Sequence, residues 1–289
     1  MLADFLAAHL SGATVWVSNP TWENHTNIFA SAGLATDSYR YLDGSKTRLD
    51  FQGMLDDLTT KTRPGDVVLL HACCHNPTGV DLSLEQWTQI ADLVVERKLL
   101  PLVDFAYQGF GTGLEEDAAG LRTLLGRCEE LLVASSFSKN FGLYSERVGA
   151  AALVAGDASA AKAGLSQLKR SVRSNYSNPP RHGAAVVATV LGDAELTALW
   201  TQELTAMRER ITAMRKQLVE ALQAGGAKRD FAFLLDQSGM FSYTGLTPMQ
   251  CDRLRSEQSI YIVGSGRINV AGVTSENLPR LSEGILSVL

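Results

Sequence analysis

Leu131-Leu132-Val133-Ala134-Ser135-Ser136-Phe137-Ser138-Lys139-Asn140-Phe141-Gly142-Leu143-Tyr144-Ser145-Glu146-Arg147 is the stretch on which the chain turns. Its first four residues are an apolar run that reads as a buried strand. A lysine at the mouth of such a strand, with serines before it and Arg147 after it, is unusual for a loop. Desolvation beside a second cation lowers an amine's proton affinity, which lets lysine act as a nucleophile near neutral pH. A serine hydroxyl and an arginine fork suit a phosphate. Together they predict a Schiff-base lysine beside a phosphate cup, the arrangement that pyridoxal 5'-phosphate requires. A solvated loop lysine with a structural arginine remains open on this stretch alone.

Outward from it, the pattern repeats. Short apolar runs at 14–18, 66–74 and 99–105 alternate with helical stretches of ten or more residues. A further strand is expected near Ser38–Leu42, helices at 51–58 and 114–126, and a helix opened by the capping box Ser83-Leu84-Glu85-Gln86. The alternation predicts an α/β fold with a mostly parallel sheet, whose ligand site lies outside the carboxyl ends of the strands. Polar residues gather at those ends: Trp22 and His25, then Asn76, then Asp104 and Tyr107, then Ser136 and Lys139. Past Arg147 a strand at 148–154 leads to helices at 157–174 and 179–191. A long helix over 194–225 follows, with Leu199, Leu204, Met207, Ile211, Met214, Leu218 and Leu222 on one stripe. The remainder reads as a small α+β unit, with strands at 231–235, 240–243, 260–263 and 268–270 and helices at 247–258 and 275–288. The expected division is a large domain over 1–205 and a small one over 206–289.

With 289 residues, 45% hydrophobic and 20% charged, the composition is that of a globular protein with ample core volume. A formal charge of -5 argues against nucleic acid as a partner. No apolar run approaches a membrane span, and the first residues lack the basic start of a signal peptide. Four cysteines, two of them the adjacent Cys73 and Cys74, do not form a disulfide framework, so a cytoplasmic location is expected.

Asn76-Pro77-Thr78-Gly79, Asp104-Phe105-Ala106-Tyr107, Ser135-Ser136-Phe137-Ser138-Lys139 and Tyr176-Ser177-Asn178-Pro179-Pro180 resemble, in this order, the signature segments of the class I aminotransferases. Within that family the chain most resembles the bacterial aspartate and aromatic-amino-acid enzymes, over essentially its whole length. The resemblance implies fold type I, pyridoxal 5'-phosphate as cofactor, and a homodimer with sites at the subunit interface. It implies ping-pong transfer of an amino group from aspartate or an aromatic amino acid to 2-oxoglutarate. By the same resemblance Lys139 carries the Schiff base and shuttles the proton at the substrate Cα. Asp104 pairs with the pyridinium nitrogen, Tyr107 and Asn76 bond the ring oxygen, and Trp22 stacks on the ring. His25 supports Asp104, with His71 in the same network. Ser136 and Arg147 hold the phosphate. Arg267 forks onto the substrate α-carboxylate, and Arg173 reaches across the dimer to a distal carboxylate.

Each residue also has a plainer reading. Asp104 could cap a loop at a strand end, Trp22 could be a core aromatic, and Arg173 a solvated helix residue. His71-Ala72-Cys73-Cys74-His75 invites zinc. Strand alternation sends successive side chains to opposite faces, so no metal is expected. Gly109-Phe110-Gly111-Thr112-Gly113 reads as a turn rather than a phosphate loop.

The chain departs from the family at its front, where relatives carry a long segment with a Gly-Gly-Thr-like phosphate turn, an arm clasping the other subunit and a tyrosine for the partner's phosphate. An N-terminally truncated large domain with weakened anion binding is therefore expected. Two further outcomes stay open: another reaction on the same cofactor, such as β-elimination, which Arg173 disfavours, and a catalytically impaired homologue that keeps the fold.

Overall fold

The computed structural model describes residues 1–289. A six-stranded sheet in the order β2-β1-β3-β4-β5-β6 carries the molecule. Its strands are β1 (Thr14–Asn19), β2 (Ala35–Arg40), β3 (Val67–His71), β4 (Leu100–Phe105), β5 (Leu131–Ser136) and β6 (Gly149–Val154). All pairings are parallel except β5 with β6. The α/β fold with a mostly parallel sheet is thus the observed one.

β3 shows why the sheet sits inside. All five of its residues are buried, and they divide by alternation between two cores. Val68 and Leu70 join Trp16, Val103, Leu131 and Val133 in a cluster of 40 buried residues. Val67 and Leu69 join Leu6, Val15, Val17, Leu102 and Leu132 in one of 12 on the opposite face. α1 (Leu2–His9) and α2 (Glu23–Ser31) cover the second face; α3 (Phe51–Lys61), α4 (Leu84–Arg97) and α5 (Ala119–Leu125) cover the first. The capping box at Ser83 and Gln86 is formed. Asp66 ties the loop before β3 to β1, accepting hydrogen bonds from Thr14 N at 2.9 Å and Trp16 Nε1 at 3.0 Å.

After β6 come α6 (Ala158–Asn175), α7 (Arg181–Gly192) and the 31-residue α8 (Ala194–Ala224). The α8 stripe is buried at Leu204, Ile211, Leu218 and Leu222, whereas Leu199 and Met207 are exposed. No single helix is long and apolar enough to cross a membrane. The C-terminal portion holds the antiparallel pair β7 (Phe241–Tyr243) and β8 (Arg267–Asn269), with α9 (Pro248–Gln258) and α10 (Leu278–Val288).

Several expected elements differ. Residues 232–236 form a 3-10 turn instead of a strand, because the Asp230 carboxylate accepts from Ala232 N at 2.8 Å and starts a turn there. Residues 260–263 pair with nothing, since β7 and β8 pair only with each other. α5 begins at Ala119, later than expected, because the chain first wraps around the Asp117 side chain. That carboxylate accepts from Gly109 N, Gly111 N and Thr112 N at 2.8–2.9 Å.

Candidate active site

The carboxyl ends of β1, β3, β4 and β5 bring the polar set together. Register places His71 of β3 beside Asp104 of β4. His25, on the first turn of α2, donates from Nε2 to Asp104 Oδ2 at 3.0 Å. That bond is the sole hydrogen bond of the Asp104 carboxylate, which accepts no backbone N–H; loop capping is therefore not its role. Burial pushes Asp104 up, but the His25 hydrogen bond and the neighbouring Lys139 outweigh it and hold the carboxyl below its ordinary value.

The carboxylate also fixes the imidazole tautomers. An ionised Asp104 only accepts, so His25 carries its proton on Nε2. Its Nδ1 then accepts from Thr21 Oγ1 at 2.9 Å, and Thr21 Oγ1 in turn accepts from His71 Nε2 at 3.4 Å. Burial lowers His71 well below the ordinary histidine value and takes His75 down to about 3, so both are neutral. His75 is locked between Ser18 Oγ and Thr78 Oγ1, each at 2.9 Å, and stacks on Tyr41 at 3.9 Å.

Asn76 and Tyr107 form the next wall. Asn76 Nδ2 donates to the Tyr107 hydroxyl at 3.3 Å, while Asn76 Oδ1 is buried without a partner. The turn that presents Asn76 is held by Asp81, whose two oxygens accept from Cys74 N and His75 N at 2.8 Å. Burial raises the Tyr107 phenol, so it remains a donor.

Lys139 Nζ lies 5.1 Å from the Tyr107 ring centroid. Burial lowers its proton affinity, Asp104 opposes the shift, and Arg147 adds to it. Among the ion pairs none involves Lys139, Arg147, Arg173 or Arg267. Arg147 has a left-handed backbone (φ 53°) and donates from Nη1 to Tyr144 O at 2.8 Å. Ser136 Oγ accepts from Ser138 N at 3.2 Å. Trp22 is 38% exposed, set edge-on to His25 at 5.2 Å, so it is not a core aromatic.

Two of the expected residues stand apart. Arg267, first in β8, lies 4.8 Å over the Phe241 ring, and Phe241 packs edge-on to Tyr107 at 6.3 Å. A cavity of about 370 Å³ adjoins it, lined by Ile260, Ile262, Asn277 and Arg280 among others, but Lys139 and Asp104 do not line it. Arg173 is exposed on α6 and donates to Ser177 Oγ. Sequence reasoning missed Thr21 and Asp81. Thr21 carried a signal, since it stands next to Trp22 at a strand end already singled out; Asp81 lies past the turn and gave none.

The donor set suits a pyridine ring bearing an aldehyde, a hydroxyl and a phosphate. It offers an amine with lowered proton affinity, an ionised carboxylate with one oxygen uncommitted, and a buried amide oxygen lacking a partner beside a phenol.

A family model described as aminotransferase class I and II matches residues 1–285. The chain is similar to aspartate aminotransferase of Escherichia coli K12, at 55% identity over 99% of this chain and 72% of that one. It is also similar to aromatic-amino-acid aminotransferase of Pseudomonas aeruginosa, at 51% identity over 100% of this chain and 72% of that one. The crystal structure of aromatic-amino-acid aminotransferase from Burkholderia pseudomallei, covalently bound to pyridoxal phosphate, matches with a TM-score of 0.97. The identity is 50%, covering 99% of this chain and 72% of that chain. With the geometry of Lys139, Asp104 and Asn76, these matches show that the chain belongs to the class I and II aminotransferases, as a fold type I transaminase dependent on pyridoxal 5'-phosphate.

Proposed function

We propose that the chain transfers the amino group of aspartate or an aromatic amino acid to 2-oxoglutarate, with Lys139 as the reacting amine. The observation that carries this is the convergence of Lys139, the His25–Asp104 pair and the Asn76–Tyr107 pair on the carboxyl ends of parallel strands. When bound, the cofactor supplies an electron sink for the bond broken at the substrate Cα.

The chain's residues do the rest. Lys139 attacks as the free amine, which its burial favours, and later takes and returns the proton at Cα. Asp104, kept ionised by its hydrogen bond from His25, would hold a proton on the ring nitrogen of the bound cofactor. Tyr107 donates its phenol proton to the ring oxygen, and Asn76 donates to it from Nδ2, the nitrogen that also bonds Tyr107. Trp22 covers the ring face, and Ser136 with Arg147 holds the phosphate. Arg267 receives the α-carboxylate in a bidentate pair, and Arg173 the distal carboxylate of a dicarboxylic substrate. No metal takes part in the proposed reaction.

We assign residues 1–205 to a cofactor-binding domain and 206–289 to a substrate-closing one, the boundary falling within α8. A homodimer in the cytoplasm fits the family, with Arg173, which stands apart from the site within one chain, serving the partner's site. The test is single-turnover release of the 2-oxo acid from aspartate, tyrosine and phenylalanine by the cofactor-loaded chain. Borohydride should fix the cofactor to the chain, and the Lys139→Ala variant should lose both properties. No oxo acid from any of the three donors would overturn the proposal.

A further inference from the structure

Outside the machinery described above, Cys73 and Cys74 form an unusual pair. β3 ends at His71, so strand alternation no longer governs these two residues, and Cys74 takes a left-handed backbone (φ 50°). Strand alternation therefore does not hold their sulfurs apart. The ligand atoms of Cys73, Cys74 and Asp117 lie within 4.8 Å of one another, and all three residues are buried. The four cysteines of the chain are free thiols.

The arrangement selects its ligand. A closed tetrahedral metal site needs four donors. Asp117 cannot be one of them, because its two oxygens already accept from Gly109 N, Gly111 N, Thr112 N, Thr112 Oγ1 and Gly113 N. Those contacts fill the lone-pair positions of a carboxylate. Two sulfurs remain, with no further donor. A species satisfied by two thiols and no third donor is a monosubstituted trivalent arsenical, such as an arylarsenic dihydroxide.

We propose that Cys73 and Cys74 are a two-sulfur chelating site for a trivalent organoarsenical, and that filling it disables the enzyme by displacing Asn76 and Tyr107. The exchange is a condensation. Each S–H bond and each As–OH bond breaks, two As–S bonds form, and two water molecules leave. Arsenic stays trivalent, so no oxidant or reductant is needed. Once the first sulfur is bound, the second closes the ring intramolecularly, at an effective concentration that a single cysteine cannot match.

The coupling to the site is direct. Cys74 Sγ donates to Tyr107 O at 3.9 Å, and Cys74 N is one of the two groups by which Asp81 holds the turn that presents Asn76. Gly239 closes the site from the other side: a Cβ there would meet Cys74 Cβ at 2.4 Å and Sγ at 2.9 Å. An arsenic between the sulfurs must break the Tyr107 contact and push the 237–242 segment away. The hydrogen bond with Cys74, together with burial, raises the Cys73 thiol well above its ordinary value, and burial with the nearby Asp81 and Asp117 raises Cys74 against the hydrogen bond with Cys73, so neither is a ready thiolate for one-point alkylation.

The experiment treats the cofactor-loaded chain with phenylarsine oxide under native conditions, with iodoacetamide as the one-point control. The expected result is one phenylarsenic per chain, with the thiols counted after denaturation falling from four to two. Activity should fall at least tenfold in step with occupancy, return with 2,3-dimercaptopropanol, and not return with excess monothiol. Peptide mapping of the unmutated adduct should place the arsenic on the segment holding Cys73 and Cys74, a readout independent of how any variant folds. Cys73→Ser and Cys74→Ser should each abolish capture, whereas Cys128→Ser should leave it intact. Absence of an adduct, an adduct on Cys128 or Cys251, or full activity at one arsenic per chain each overturns the proposal.

Discussion

Asp104→Asn separates the two roles that a buried carboxylate can have. The side chain is isosteric, and its amide oxygen can still accept from His25 Nε2, the one hydrogen bond that Asp104 makes at 3.0 Å. The bond changes from charge-assisted to neutral, a difference of about 1 kcal/mol. Because no backbone N–H depends on Asp104, nothing else in the fold loses a partner. Urea unfolding of the cofactor-free variant should therefore fall by no more than about 1–2 kcal/mol.

Activity responds to a different quantity. In the proposed reaction the carboxylate would pair with the protonated ring nitrogen of the bound cofactor. Two opposite charges about 3 Å apart at an effective dielectric of about 20 attract by about 5 kcal/mol. Asparagine removes that attraction and turns an N–H₂ donor toward the ring instead. Since about 1.4 kcal/mol corresponds to a tenfold change in rate, kcat/KM should fall by about three to four orders of magnitude. The assay is steady-state transamination with saturating cofactor, paired with cofactor content per chain. A variant within tenfold of the parent, fully loaded, would refute the charge argument. A variant that unfolds would show that Asp104 is structural after all.

Gly79→Ala tests the turn after Asn76: at φ +71° its Cβ would sit 2.6 Å from Phe241 O and 3.0 Å from Ser238 O, both backbone atoms. The variant should lose about 2 kcal/mol or more of stability in thermal unfolding, and an unchanged midpoint would contradict the packing described. Burial lifts Asp81 from 3.8 to about 6, so the fold favours its protonated form. Its contribution is therefore present in full below pH 3.8 and lost as pH rises through about 6, a change of about 3 kcal/mol. Asp81→Asn should flatten that loss, read as the parent-minus-variant difference in urea midpoints between pH 4 and 7; a constant difference would overturn it. Arg267→Lys replaces a fork by a point charge and should lower kcat/KM for the amino acid by about 10- to 100-fold, mostly through KM.

The sheet was legible because its strands are buried on both faces. Runs such as Val67–His71 need no alternation to be recognised, only length and punctuation. The rule that sites lie at the carboxyl ends of parallel strands then singled out Trp22, Asn76, Asp104 and Lys139 as candidates without any knowledge of contacts. The small C-terminal portion was less legible. Its strands have three residues each, and propensity could not tell the paired Phe241–Tyr243 from the unpaired 260–263. Pairing is a tertiary fact, and so is the 3-10 turn set by one Asp230 side chain.

The Cys73–Cys74 pair fails to show in the sequence for a sharper reason. Alternation correctly separates neighbours within a strand, but β3 stops two residues before Cys73, and the backbone of Cys74 is left-handed. What sets that backbone is Asp81, seven residues on, whose two oxygens draw Cys74 N and His75 N to the same carboxylate. The same pair of hydrogen bonds fixes the turn that carries Asn76 into the site. The thiol pair and the Asn76 amide are thus two products of one turn, held by a residue that in the proposed reaction contacts neither the substrate nor the cofactor. A local pattern could reveal the amide, because a strand end is a local feature. It could not reveal the thiols, because their meeting depends on a carboxylate beyond the turn.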